Sequence, residues 1–156
     1  MKLSTKSEYG VRALLQLACN YNYGLVSLRE VSDREDISYQ YLEQIFLDLR
    51  RYNLVKSIRG AKGGYVLARP PDEITVGDIV KAVEGPIAPV SCVENHDLLE
   101  SGDRHTSSCD RFSICAPREV WLELRDRISE VLDEFTLQDL VKNEKKPETI
   151  RGEQDD

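Results

Sequence analysis

Residues 27–67 read SLREVSDREDISYQYLEQIFLDLRRYNLVKSIRGAKGGYVL, and the reading of this stretch decides the fold. Ser27, a helix-capping residue, opens a short helix carrying Leu28 and Val31. Asp36-Ile37-Ser38 then turns the chain into a longer helix over residues 39–52. In that helix Leu42, Ile45, Phe46 and Leu49 recur at three- and four-residue steps, so they face a core. Ser38, Gln40, Tyr41, Glu43, Gln44, Arg50 and Arg51 are left on its outer faces. Two short helices joined by a tight turn predict a helix-turn-helix. Residues 54–59 and 65–67 read as two strands around Gly60-Ala61-Lys62-Gly63-Gly64, and a hairpin directly after a recognition helix is a wing.

Working outward, Thr5-Lys6-Ser7-Glu8 has the form of a capping box before an apolar stripe of Tyr9, Ala13, Leu14, Leu17 and Ala18. Thr75 caps another short helix with Val76, Ile79, Val80 and Val83 on its inner side. Pro117 suits the first position of a long helix, where Trp121, Leu124, Ile128, Val131 and Phe135 follow the alternating spacing of a coiled-coil seam. Such a seam calls for a partner helix and predicts a homodimer. Thr136-Leu137-Gln138-Asp139 is a further cap, whose Leu137, Leu140 and Val141 can fold back on the DNA-binding half. The expected fold is therefore mainly α with a small β-hairpin: a winged helix-turn-helix domain plus a long dimerisation helix. We divide the chain into a DNA-binding domain over 1–84, a cysteine-bearing loop over 85–116, the dimerisation helix and short C-terminal helix over 117–141, and a polar tail over 142–156 that reads as disordered.

Composition agrees with one domain and an appendage. The 156 residues are 40% hydrophobic, enough to close a core and too few for a multidomain enzyme. No apolar run approaches the roughly 20 residues that cross a bilayer, and MKLSTKSEYG lacks the apolar stretch of a signal peptide. A soluble, cytoplasmic protein with no membrane partner is expected. The net charge of −7 hides an asymmetry, because residues 1–71 hold eleven Lys and Arg against seven Asp and Glu, leaving the acidic excess to the remainder. An acidic chain thus contains a basic face.

That face suits double-stranded DNA, with the third helix in the major groove and wing cations on phosphates. Arg59 and Lys62 flank a turn whose Gly60, Gly63 and Gly64 permit close backbone approach, while Lys2, Lys6, Arg50, Arg51 and Lys56 extend the positive surface. The competing reading is a set of solvated cations on a helical protein-interaction domain. Glu43 and Gln44 suit base edges, Glu accepting from cytosine and Gln pairing with adenine; Glu43 equally fits a solvated helix surface.

Cys92, Cys109 and Cys115, separated by 16 and 5 residues, lie in one polar loop outside any periodic apolar stretch. Thiols so placed suit ligation of a soft metal centre, and the absence of Cys-x-x-Cys removes the commonest zinc-finger and thioredoxin signatures. Spacing alone leaves iron–sulfur, zinc and bare thiol redox chemistry open. Cys19, beside the first apolar stripe, reads as a small core residue.

KLSTKSEYGVRALLQLA at the start, ISYQYLEQIFLDLRRYNLVKSIRGAKGGYVLAR, ITVGDIVKAVEG and VWLELRDRISEVLDEFTLQDLV together resemble the winged-helix family of the iron–sulfur cluster regulator IscR, over residues 1–141. The resemblance implies a homodimer on a palindromic operator, control of iron–sulfur assembly genes, and a 2Fe-2S cluster held by Cys92, Cys109 and Cys115. The chain departs from the pattern at Arg118, where the family's regulator has a histidine, and arginine is no ligand. The fourth ligand is then Glu8, which the resemblance implies could come from the other subunit, or His105, with His96 and Asp110 as further choices. A zinc- or thiol-redox-sensing repressor of the same fold, with zinc or no cofactor, is the alternative. A cysteine enzyme with Cys109 as nucleophile and His105 as base leaves the wing unexplained and has no orienting carboxylate or oxyanion device in evidence. A dimerisation adaptor that binds no DNA is the remaining rival.

Overall fold

The computed structural model describes residues 2–94, 109–111 and 114–144. Six α-helices and one hairpin make up the regular structure of the described residues: α1 (Thr5–Cys19), α2 (Leu28–Glu35), α3 (Tyr39–Arg51), β1 (Val55–Ile58), β2 (Gly64–Leu67), α4 (Val76–Glu84), α5 (Pro117–Glu134) and α6 (Leu137–Asn143), with short 3-10 turns at Pro71–Glu73 and Ser91–Val93. The candidate ligands His96 and His105, and the tail beyond Glu144, lie outside the described residues.

The core forms where the apolar stripes of α1, α3 and α4 meet. Ala13, Leu14, Leu42, Ile45, Phe46, Leu49 and Ile79 are fully buried there. Each of the leucine, isoleucine and phenylalanine side chains contributes about 1.5–3 kcal/mol through burial. Ser27 and Glu30 close a reciprocal capping box at the start of α2, as Thr75 and Asp78 do for α4 and Thr136 and Asp139 for α6. Asp36 ends α2 in the left-handed region (φ 54°), and Ser38 accepts from the Tyr41 amide to start α3. The helix-turn-helix thus has a specified turn at each end. Arg12 of α1 clasps it, donating from Nε to the Glu35 carboxylate at 2.8 Å and from Nη2 to the Glu35 carbonyl at 2.6 Å.

The start of α1 departs from the expected capping box. Ser4 is the N-cap, Thr5 is already helical, and no side-chain cap bond forms. A carboxylate from another helix takes the position instead: Glu84, at the end of α4, accepts from the Ser4 amide (2.9 Å), the Ser4 hydroxyl (2.6 Å) and the Ser7 hydroxyl. Glu8 is consequently free of the capping role and exposed. The short C-terminal helix also runs past its expected end at residue 141, since α6 extends through Asn143.

The C-terminal elements return to the N-terminal half. Val76 N donates to Phe135 O (2.8 Å) and Leu137 N to Ile74 O (2.9 Å), and Leu137 is fully buried in the main core. Gly77 admits Asp133 against the first turn of α4, since a Cβ there would lie 1.8 Å from Asp133 Oδ1. Lys81 Nζ then pairs with Asp133 Oδ2 at 3.0 Å. On α5 no side chain is buried, and Trp121, Leu124, Val131 and Phe135 present apolar surface outward, Val131 with 53% exposure. Ile128 differs from the rest of this stripe: it is half-buried and, with Leu132, faces Val80 and Ile87 of its own chain.

Burial raises the Glu84 pKa, but the Ser4 and Ser7 hydroxyls and the Ser4 amide outweigh it and hold the carboxyl below its usual range. A depressed carboxyl stabilises the fold above its unfolded pKa of about 4.3, and this is lost as pH falls through the lower folded value. Glu84→Gln is therefore expected to cost about 1 kcal/mol or less at pH 7, the group being exposed. Chemical denaturation against pH should show this deficit shrinking below about pH 4.

Candidate nucleic-acid interface and cysteine loop

Between the helix-turn-helix and the wing runs an open cleft of about 460 Å³. Arg29 of α2, Tyr39, Glu43 and Arg50 of α3, and Arg59 and Gly63 of the wing line it. The spacing of Tyr39, Glu43 and Arg50 turns them to one side of α3, while Gln40, Gln44 and Arg51, also exposed, follow on the adjoining stripe. Arg51 Nη1 lies 3.4 Å from Asp48 Oδ1, and Asp48 also pairs with Lys6 of α1. Ser38 is exposed with its oxygen engaged in capping α3.

Tyr41 sits differently from the outward position expected of it. Its ring is half-buried and meets Tyr9 edge to face, with centroids 5.8 Å apart, and the Arg12 guanidinium stands over the Tyr9 ring, 5.4 Å from its centroid. Aromatic contact with α1 outweighs exposure here. Arg29, Tyr39 and Ser57 were not singled out in the sequence, although the first helix of a helix-turn-helix crosses the DNA backbone and so makes its outward cations candidates.

The wing is held by backbone geometry. β1 and β2 pair antiparallel from Val55↔Leu67 to Ile58↔Gly64. Val26, just before α2, exchanges two backbone bonds with Tyr65, at 3.0 and 2.8 Å, which fastens the hairpin to the helix-turn-helix. The Tyr65 ring packs on buried Phe46 of α3, with centroids 4.8 Å apart. Gly60 has φ 121°, and Gly63 closes the turn by donating to Gly60 O at 3.0 Å. A Cβ on Gly63 would stand 2.2 Å from the Ile58 carbonyl oxygen, so the turn needs glycine there. Arg59 and Lys62 are exposed at the tip.

Of the loop cysteines, Cys92 lies in the Ser91–Val93 turn, Cys109 is exposed, and Cys115 stands just before α5. All are free thiols. Buried Val93 is pinned to α5, its carbonyl accepting from Arg125 Nη1 at 3.1 Å. Cys115 O accepts from the Arg118 amide at 3.2 Å. The donor set suits a soft metal or cluster, yet among the described residues no three His, Cys, Asp or Glu side chains are gathered around one point. Glu8 borders an apolar recess with Val11, Val76 and Val80, on elements that carry none of the three cysteines. Asp110 is exposed beside Cys109.

Cys19 is half-buried at the end of α1, outside the main core, and its thiol donates to the Glu144 carboxylate. Burial and then this hydrogen bond push its pKa up to about 12. Because the thiolate is the reactive form, Cys19 at pH 8 should alkylate at least roughly a hundredfold more slowly than in the unfolded chain, as peptide mapping after iodoacetamide treatment will read. For the wing, Gly63→Ala is expected to cost about 1–3 kcal/mol of strain. Binding to duplex DNA should fall by about tenfold or more if that strain displaces the hairpin, measured by fluorescence anisotropy with the melting temperature as control.

No helix of the described residues is long and apolar enough to cross a membrane. Comparison with known proteins gives a consistent picture. A family model named Rrf2, described as iron-dependent transcriptional regulator, matches residues 3–143. The chain is 43% identical over 141 residues to the HTH-type transcriptional regulator CymR of Bacillus subtilis, covering 90% of both chains. It is 40% identical over 144 residues to the HTH-type transcriptional regulator IscR of Sodalis glossinidius, covering 92% of this chain and 81% of that one. The solved structure of B. subtilis CymR, called the global cysteine regulator of that organism, superposes with a TM-score of 0.72 at 41% identity, over 93% of this chain and 99% of that one. These relatives are transcriptional regulators rather than enzymes, and the likeness to IscR read from the sequence is borne out alongside one to CymR. A helix-turn-helix clasped by Arg12, a wing fastened at Val26 and a family match spanning nearly every described residue lead to one conclusion: the chain belongs to the Rrf2 family and is a DNA-binding transcriptional regulator.

Proposed function

We propose that this regulator reads the state of a 2Fe-2S cluster held by Cys92, Cys109 and Cys115 and passes it to DNA as a homodimer on a palindromic operator. Control of iron–sulfur assembly genes is the output we infer. One observation carries the reading: two of the three thiols are attached to the long helix, Cys115 directly before it and Cys92 through the Arg125 bond to the Val93 carbonyl. A change of ligation in the loop is therefore felt by α5. From there it reaches α4 through Asp133, Lys81 and Thr75, and α4 packs on α1 and the recognition helix. When bound, the cluster supplies a centre whose ligation responds to iron, oxygen or reactive nitrogen species. An oxygen or nitrogen ligand among thiolates shifts its potential and lability.

The outward stripe of Trp121, Leu124, Val131 and Phe135 supports pairing of two copies along α5, with Ile128 at its inner border. In such a dimer Glu8 is a fourth ligand offered to the partner's loop, and His105 the alternative from the same loop. Recognition of DNA rests in this reading on Ser38, Gln40, Glu43, Gln44, Arg50, Arg51, Arg59, Lys62 and Gly63, while Tyr41, packed on Tyr9, supports α3 from behind. The second reading, zinc or reversible thiol oxidation, is supported by the likeness to a protein called a global cysteine regulator.

Anaerobic purification with a visible spectrum and iron, sulfide and zinc quantitation decides between them. We expect a coloured protein with about two irons and two sulfides per chain, bleached by Cys92→Ala. A colourless, iron-free protein that also resists anaerobic reconstitution would overturn the cluster, and zinc content would then separate the remaining options. Sedimentation at micromolar concentration should give a dimer; a monomer overturns the pairing.

A further inference from the structure

We propose that Arg29, on the first helix of the helix-turn-helix, is a DNA-backbone residue that completes a three-guanidinium phosphate clamp with Arg50 and Arg59 across the cleft. It rests on the DNA-binding activity and on none of the cofactor chemistry. The three arginines come from three separate elements, α2, the end of α3 and the wing turn, and border the same cleft of about 460 Å³. Arg29 and Arg59 form no ion pair among the described residues, and Arg50 contacts only the neutral Ser57 hydroxyl, with Nη1 at 3.5 Å.

The acids near Arg29 leave this charge in place: Asp33, one turn along α2, neither pairs with it among the described residues nor lines the cleft. Glu30, adjacent to Arg29 in sequence, is turned back onto its own helix end, accepting from the Ser27 amide at 2.8 Å, and does not line the cleft. Glu43 is the single acidic side chain lining the cleft, against three guanidiniums. A concave surface with this surplus selects a polyanion that runs along it, and the first helix of a helix-turn-helix lies where a DNA strand crosses. Tyr39, 46% exposed at the head of α3, adds a hydroxyl donor to the same wall. Because phosphates carry no sequence, Arg29 sets affinity and register rather than operator choice.

The test uses the full chain, a duplex selected from random sequence by the wild-type protein, and a scrambled duplex of the same length. For Arg29→Gln, the slope of log affinity against log salt should fall by about 0.9 per protomer on both duplexes. The ratio of the two affinities should stay within about twofold, and Arg29→Lys should retain the wild-type slope. Circular dichroism and melting confirm that each variant is folded, a readout that a merely structural loss would move while leaving the salt slope alone. An unchanged slope with wild-type binding intact overturns the clamp and spares the DNA-binding activity. A collapsed affinity ratio overturns it in favour of base reading. Absence of wild-type binding to either duplex overturns both.

Discussion

Two backbone hydrogen bonds, from Val76 to Phe135 and from Leu137 to Ile74, hold the rest of the molecule in its arrangement. They join segments sixty residues apart in the chain and bring Leu137 into a core otherwise built from α1 to α4. Once they form, the direction in which α5 leaves the domain is set, because Asp133 must fit against Gly77 and reach Lys81. The long helix is thereby an arm rigidly mounted on the DNA-binding half. Whatever acts on the arm acts on α4, and α4 shares its inner face with α1 and α3.

The same mounting explains why α5 carries the cysteine loop at one end and the domain junction at the other. Arg125 reaches the carbonyl of Val93 midway along the helix, and Cys115 precedes its first turn. A helix transmits displacement over its length with little loss, since each turn is hydrogen-bonded to the next. In an isolated chain none of its side chains is fully buried, and the apolar stripe of Trp121, Leu124, Val131 and Phe135 stays exposed. Such a stripe is stable in water when another apolar surface covers it.

Much of the fold was legible because local and global signals agree. The α3 stripe, the Ser27 cap, the glycine turn and the Thr136 cap each arise from short-range rules, and each is found where those rules put it. The capping box at Thr5 was misleading because its rule sees four residues, whereas Glu84 arrives from a helix eighty positions away. Tyr41 was misread for a related reason: helical periodicity gives a direction, and only the packing of α1 shows that Tyr9 waits there. Cys19 looked apolar by its neighbours but meets a carboxylate from the far end of the chain. The sequence names candidate ligands by residue type, whereas whether they meet depends on loop conformation, on which periodicity is silent, and among the described residues they are not gathered.

A two-stranded hairpin has two open edges, each a template for pairing with a strand of another molecule. Here the β2 edge is partly occupied by Val26, whose exchange with Tyr65 ends the ladder against its own domain, and β1 carries exposed Lys56 on the other side. The attachment that orients the wing therefore also works as a guard against aggregation. A regulator that must expose a polar hairpin to reach DNA keeps it from propagating into an intermolecular sheet.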